Sequence, residues 1–162
     1  MKQCLKRFFS PFLLTLTLLL SGCYSAPVTF SEAAQQVPFR ELNNYFVRKN
    51  GSTLEYLGVI TSQEEFDERF GMAAFMGPNG RPTAVDFEHE VVLAVVMPAL
   101  KQTCTLRAKE VVKEGEWLAF RYTQILGEPL TYTIRPCLLV AIEKSELASN
   151  LLFSPIEEEI AP

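Results

Sequence analysis

Val91-Val92-Leu93-Ala94-Val95-Val96-Met97 is apolar at every position, and Pro98 ends it. Strands with one wet face alternate apolar and polar residues, so an unbroken run of this length predicts a strand covered on both faces. Cys137-Leu138-Leu139-Val140-Ala141-Ile142 has the same character. Two such strands need layers on either side of the sheet that holds them.

The segments between them are amphipathic. Cys104, Leu106 and Ala108 alternate with Thr105, Arg107 and Lys109, and Leu118, Phe120 and Tyr122 alternate with Ala119, Arg121 and Thr123. Lys113-Glu114-Gly115-Glu116 separates these two runs as a turn. Gly127-Glu128-Pro129 predicts a second turn, into a strand holding Leu130, Tyr132 and Ile134. Further upstream, Asn44 to Lys49 and Thr53 to Ile60 are β-prone on either side of Asn50-Gly51, which predicts a hairpin. A last short strand is expected at Leu151 to Phe153.

One helix stands out, Ser62-Gln63-Glu64-Glu65-Phe66-Asp67-Glu68-Arg69-Phe70-Gly71. Ser62 with Glu65 three residues on is a capping box, and early acidic residues suit the positive end of the helix dipole. Phe66 and Phe70 share a face, Glu65 can pair with Arg69, and Gly71 is placed to stop the helix. The expected fold class is therefore α+β: a mainly antiparallel β meander of about six or seven strands, with one short helix packed on the sheet.

At the other end of the chain, Lys2, Lys6 and Arg7 precede an apolar run from Phe8 to Leu20 and the sequence Leu20-Ser21-Gly22-Cys23. A basic start, a short apolar run and a small-residue site predict a secretory signal peptide; the run is too short for a membrane span. Leu20-Ser21-Gly22-Cys23 also resembles the lipobox of bacterial lipoproteins. That resemblance implies lipidation (palmitate and other acyl chains) of Cys23 after removal of residues 1–22. It also implies lipid-anchored attachment, and, with Tyr24 after the cysteine, sorting to the outer membrane. No acidic cluster follows Cys23, so the periplasmic side is favoured over the cell surface.

The remaining organisation is expected to be a tether over residues 23–38, bracketed by Pro27 and Pro38, a single globular domain over 39–155, and an acidic tail over 156–162. The leader carries three of the fifteen Lys and Arg residues and none of the nineteen acidic ones, so the rest has a formal charge of −7. That balance argues against nucleic acid and against electrostatic adsorption to anionic lipid. Cys104 and Cys137 are either a disulfide, permitted in the envelope, or two buried thiols.

Two stretches, Phe70 to Gly77 with Val85-Asp86-Phe87 and Tyr132 to Val140, resemble small, uncharacterised lipoproteins of Bacteroidota. More distantly, Glu65-Phe66, Val85-Asp86-Phe87, Val91 to Met97 and Pro136 to Lys144 resemble the C-terminal domain of PrcB-like protease-complex subunits. Those are non-catalytic partners that stabilise a secreted protease. They carry a Thr-Gly-Gly-Tyr element where this chain has Pro98-Ala99-Leu100-Lys101-Gln102.

The single histidine, His89, sits within Asp86-Phe87-Glu88-His89-Glu90, which lacks the spacing of a zinc motif. There is no Gly-rich phosphate loop and no nucleophile elbow, so no enzyme, metal or cofactor is expected. The candidate binding residues are Arg135, Asp86, Met76 and Arg81. Arg135 is expected to pair with an internal acid such as Asp86. Met72 to Pro82 is expected to be a loop, either a lid on the core or an adaptable contact surface. Two functions follow: a non-catalytic binding or accessory protein acting on a partner protein, or a small-ligand binder or enzyme with a pocket under that loop.

Overall fold

The computed structural model describes residues 29–48, 55–73 and 80–156. The signal peptide, the lipobox, the Asn50-Gly51 turn, Met76 and the acidic tail beyond Ile156 lie outside them.

The chain forms β1 (Gln35–Gln36), β2 (Arg40–Glu41), β3 (Tyr45–Val47), β4 (Tyr56–Ile60), α1 (Gln63–Arg69), β5 (Phe70–Met72), β6 (Glu90–Val96), β7 (Leu100–Glu114), β8 (Trp117–Ile134), β9 (Cys137–Glu143) and β10 (Asn150–Ile156). A short 3₁₀ turn, Lys144–Glu146, links β9 to β10. The α+β class is as expected, with ten described strands in place of six or seven. The surplus consists of β1, β2 and β5, each two or three residues long and too short to carry a period.

The two apolar runs pair antiparallel, Val91 with Ile142 through Val96 with Cys137, at the centre of a sheet ordered β2-β9-β6-β4. Both strands turn a corner and pair again. β6 leads through Pro98 into β7, β8 leads through Pro136 into β9, and Met97 N–H donates to Pro136 O at 2.9 Å where the corners meet. β7 and β8 then form the middle of a second sheet, β1-β7-β8-β10. One long ribbon, bent double, thus supplies the interior of both layers.

Its closed end is a two-residue turn between Glu114 and Trp117. Gly115 there has φ of 59°, a left-handed conformation at the first turn position, which a type II′ hairpin reserves for glycine.

Side-chain parity divides the interior into two cores. Val91, Leu93, Val95, Val140 and Ile142 face the second sheet and meet Val111, Leu118, Phe120 and Tyr122. Val92, Ala94, Val96, Leu139 and Ala141 face the opposite way, toward Phe66 and Phe70. A third layer of α1 and the β3–β5 pair therefore covers the far face of the central sheet, which accounts for the lack of polar alternation in β6 and β9.

Ser62 accepts the Glu65 N–H at the helix start, and Arg69 pairs with Glu65 at 3.1 Å. The helix does not end at Gly71. Phe70 is already extended, and Phe70–Met72 becomes β5, with Gly71 lying beneath the ring of its cross-strand partner Phe46.

Three further expectations are corrected. The β3 and β4 strands form no hairpin: β3 pairs with β5, and β4 pairs with β6 in the central sheet. Gly127-Glu128-Pro129 is no turn, because β8 runs unbroken from Trp117 to Ile134 and absorbs these residues as register shifts against β7. The pairing is mainly antiparallel, as expected, the one parallel pair among the described strands being β10 with β8, Asn150 opposite Trp117. The expected tether already packs on the fold from Phe30 on. The Ser31 N–H and Oγ both bond Glu114, and Val37 is buried. Among the described residues no helix is long and apolar enough to cross a membrane.

Candidate functional site

The residues that could carry chemistry collect at the two ends of the β6–β9 pair. At one end, the turn Asp86–His89 leads into β6, and β2 closes on β9 beside it. Arg40, Ala84, Val85, Asp86, His89, Glu90 and Glu143 line a cleft of about 480 Å³ there. Glu90 takes the Arg40 guanidinium with both carboxylate oxygens at 2.7 Å, and Arg40 also donates to Ala84 O. Glu90 Oε2 accepts the Asp86 N–H in turn. Burial alone would raise the Glu90 pKa, but the Arg40 hydrogen bond, the Asp86 N–H and the Arg40 charge together bring it below the ordinary value.

Asp86 organises its own turn. Oδ1 accepts the Glu88 N–H at 3.0 Å, Oδ2 lies 2.8 Å from His89 Nδ1, and the Asp86 carbonyl accepts the N–H groups of His89 and Glu90. The hydrogen bond with His89, then that from Glu88, hold the Asp86 carboxyl below its usual range. The same hydrogen bond and the Asp86 charge raise His89 above 6.5. Lys144 fastens the turn to β9, its N–H donating to His89 O and its Nζ to Phe87 O.

Asp86, Glu88 and His89 offer ligand atoms within 4.8 Å of one another, all on exposed side chains. Both Asp86 oxygens and His89 Nδ1 already serve the turn, so an ion at those atoms would compete with its hydrogen bonds. An Asp–His pair can also steer a nucleophile's proton, but among the described residues no Ser, Thr or Cys lines this cleft. Arg40 is held by Glu90 and His89 by Asp86, which makes the arrangement a clamp tying β2, β6 and β9 together.

The opposite end holds the second cleft, about 310 Å³, inside the ribbon's corner, lined by Cys104, Leu106, Ile134, Arg135, Pro136 and Cys137. Arg135 therefore does not meet Asp86: the seven residues of β6 separate the two clefts, about 20 Å at strand rise. Cys104 and Cys137 are free thiols and not a disulfide. Parity explains this. Cys104 packs against the core between the sheets, whereas Cys137 packs against the core on the other face of β9. Burial raises Cys137 to about 11, with the Arg135 charge acting weakly the other way, so its thiol is protonated at neutral pH.

Of the remaining candidates, Arg81 is exposed, and its carbonyl accepts the Asn44 Nδ2 hydrogen at 2.9 Å. Arg40 and Glu143 were not legible as cleft residues in the sequence, nor Lys144 as the residue that fastens the turn. They reach the Asp86 turn only through strand pairing with distant segments.

A different surface stands out on the second sheet. β1 pairs with β7 at Val112 and Lys113, the following Val37 N–H reaches Val111 O, and β10 pairs with β8 from Trp117 to Thr123. The rest of the β7–β8 ribbon, residues 100–110 and 124–134, has no strand on either outer edge among the described residues. Ile125, Leu126 and Tyr132 on this overhang are exposed, Tyr132 at 61%. No family model matches the chain, and no curated protein and no solved structure matches it either.

Proposed function

We propose that this chain is a lipid-anchored envelope protein that acts without catalysis, by binding a partner protein. The observation that carries the binding role is the overhanging β7–β8 ribbon, which presents Ile125, Leu126 and Tyr132 to solvent and two strand edges without neighbours among the described residues. Exposed apolar side chains beside an edge left open among the described residues are the features through which sheets recruit extended segments of other chains. The anchor rests on Leu20-Ser21-Gly22-Cys23 after a signal-peptide pattern, with the outer membrane, periplasmic side, as its place.

Mild crosslinking in intact cells, followed by recovery from detergent-solubilised membranes, tests the role. A stoichiometric partner is expected, lost when Leu126 and Tyr132 are replaced by Ser; crosslinking that recovers no partner from the wild type overturns it. The anchor has a separate test. Radiolabelled palmitate should enter the wild type, and Cys23→Ala should abolish the label and release the protein from the membrane fraction. Protease treatment of intact cells should leave it uncut.

The alternative reading, a ligand or catalytic pocket under the 72–82 loop, has the cleft at Asp86 in its favour. It is weaker because Arg135 lies at the far end of the sheet, and because Arg40 with Glu90 and Asp86 with His89 already engage one another.

A further inference from the structure

The overhanging edge of β7 carries a charge pattern that says more about what it binds. From Lys101 to Lys109 the strand alternates: Gln102, Cys104, Leu106 and Ala108 are half-buried, while Lys101, Thr103, Thr105, Arg107 and Lys109 are exposed. Cys104, Leu106 and Ala108 rest on the inter-sheet core, which fixes the strand's rotation and sends the other set outward. The outward row holds three cations and no carboxylate, on a chain whose net charge is −4. Lys101 and Arg107 form no ion pair among the described residues. Glu110, the next acid along β7, is taken by Arg121 at 2.6 Å and by Gln36 at 2.8 Å.

The two edges of the overhang are not equivalent. On β8, Pro129 lacks an N–H, and the register shifts between Leu100 and Cys104 place the extra residues on that strand. Both devices blunt an edge against pairing. On β7 the backbone is regular from Leu100 to Ala108, the only extra residue being Lys109. The β7 backbone is thus the more regular edge for an added strand, and its exposed Lys and Arg restrict that strand to one carrying acids.

We propose that the β7 edge between Lys101 and Arg107 is a docking site for an extended, acidic segment of a partner protein. In this mode the segment joins the sheet as an additional strand. The proposal rests on the partner-binding reading above and specifies its chemistry. Lys101 and Arg107 are six residues apart, about 20 Å along a strand, with Thr103 and Thr105 between them on the same face. Side chains directly opposite in paired strands touch, so opposite charges and Thr or β-branched pairs are favoured there. The segment should present Asp or Glu at both ends of one face and Val or Thr at the two positions between, with the intervening residues on the other face free to vary.

The test uses the mature domain and a labelled synthetic peptide of that pattern, Glu at each end and Val at the two inner same-face positions. Binding is read by fluorescence anisotropy and by amide shifts along β7. The peptide is expected to bind with an affinity that falls with salt. Lys101→Glu with Arg107→Glu should weaken it about tenfold or more, two like-charge contacts replacing two favourable ones. A Lys-ended peptide should bind the charge-reversed variant and not the wild type, a rescue that loss of fold in the variant could not produce. N-methylation of alternate peptide amides should abolish binding, since main-chain hydrogen bonds carry strand addition. Equal binding of Glu-ended and Lys-ended peptides, or full binding by the N-methylated form, would overturn the proposal. Crosslinking separates it from the reading beneath it. A partner recovered equally with wild type and K101E/R107E overturns the β7 edge as the site while partner binding stands; a partner recovered with neither overturns both.

Discussion

Arg40 and Glu90 meet across the end of the central sheet, with both Glu90 oxygens 2.7 Å from Arg40 Nη2. The Glu90 side chain is 18% exposed and that of Arg40 is 43% exposed, so the pair lies between a screened surface contact and a buried one. Arg40 comes from a two-residue strand held to β9 by only two residue pairs. Replacing Arg40 by Met should cost about 1–2 kcal/mol, the range of a charge-assisted hydrogen bond at a half-wet site. Urea unfolding with a double-mutant cycle against Glu90→Gln measures it, and a coupling near zero would dissolve the clamp. Because the Glu90 pKa is lowered by folding, its contribution is complete above 4.5 and is lost as pH falls through the folded value.

The Asp86–His89 pair gives the opposite slope on its basic side. His89 is raised from 6.5 by Asp86, so its contribution is complete below 6.5 and is lost as pH rises through the folded value. Asp86 is lowered from 3.8, so its part is lost as pH falls below that value. The contact is strongest between those limits. An NMR titration should find His89 above 6.5 in the wild type and shifted down toward 6.5 in Asp86→Asn. An unchanged His89 titration in that variant would remove Asp86 as the cause.

Phe66 is the load on which the third layer depends. It is 2% exposed and touches the rings of Tyr45, Phe70 and Phe87, with centroids at 5.0, 5.2 and 5.6 Å. Phe66→Ala should cost about 3–5 kcal/mol. Hydrogen exchange should show α1 and the β3–β5 pair losing more protection than the β6–β9 pair.

The thiols should differ in reactivity. Cys104 is raised by partial burial, and Cys137 is raised to about 11. In the native protein at neutral pH an aromatic disulfide reagent should label both slowly, Cys104 ahead of Cys137, with full labelling of both in denaturant. Rapid native labelling of Cys137 would contradict its burial.

The parts of the fold legible in the sequence are those where one physical cause acts over many residues. Burial of both faces made β6 and β9 visible, and Ser62, Glu65, Phe66 and Arg69 marked α1 within a residue of its observed bounds. The β7 alternation revealed a half-buried strand. What escaped depends on distant partners. Gly71 reads as a helix stop locally, but pairing with Phe46 draws it into β5. Asn50-Gly51 reads as a hairpin turn, yet the strands beside it join different sheets because Ile60 is needed opposite Val92. Arg40 lies 50 residues from Glu90, and no local signal joins them. The Asp86-Phe87-Glu88-His89 cluster was legible as residues, and its role as a self-satisfied turn was not.

The bent ribbon has a consequence for how the molecule comes apart. β6 continues into β7 and β8 into β9, so the central strands of both sheets share the same two pieces of backbone, and the corners at Pro98 and Pro136 join them covalently. Neither layer can fray to completion while the other stays intact, since Val91, Leu93 and Val95 lose their cover as soon as Leu118 and Phe120 leave. The two sheets should therefore melt as a single cooperative unit. In calorimetry that gives one transition, with calorimetric and van't Hoff enthalpies in agreement, although the architecture has three layers.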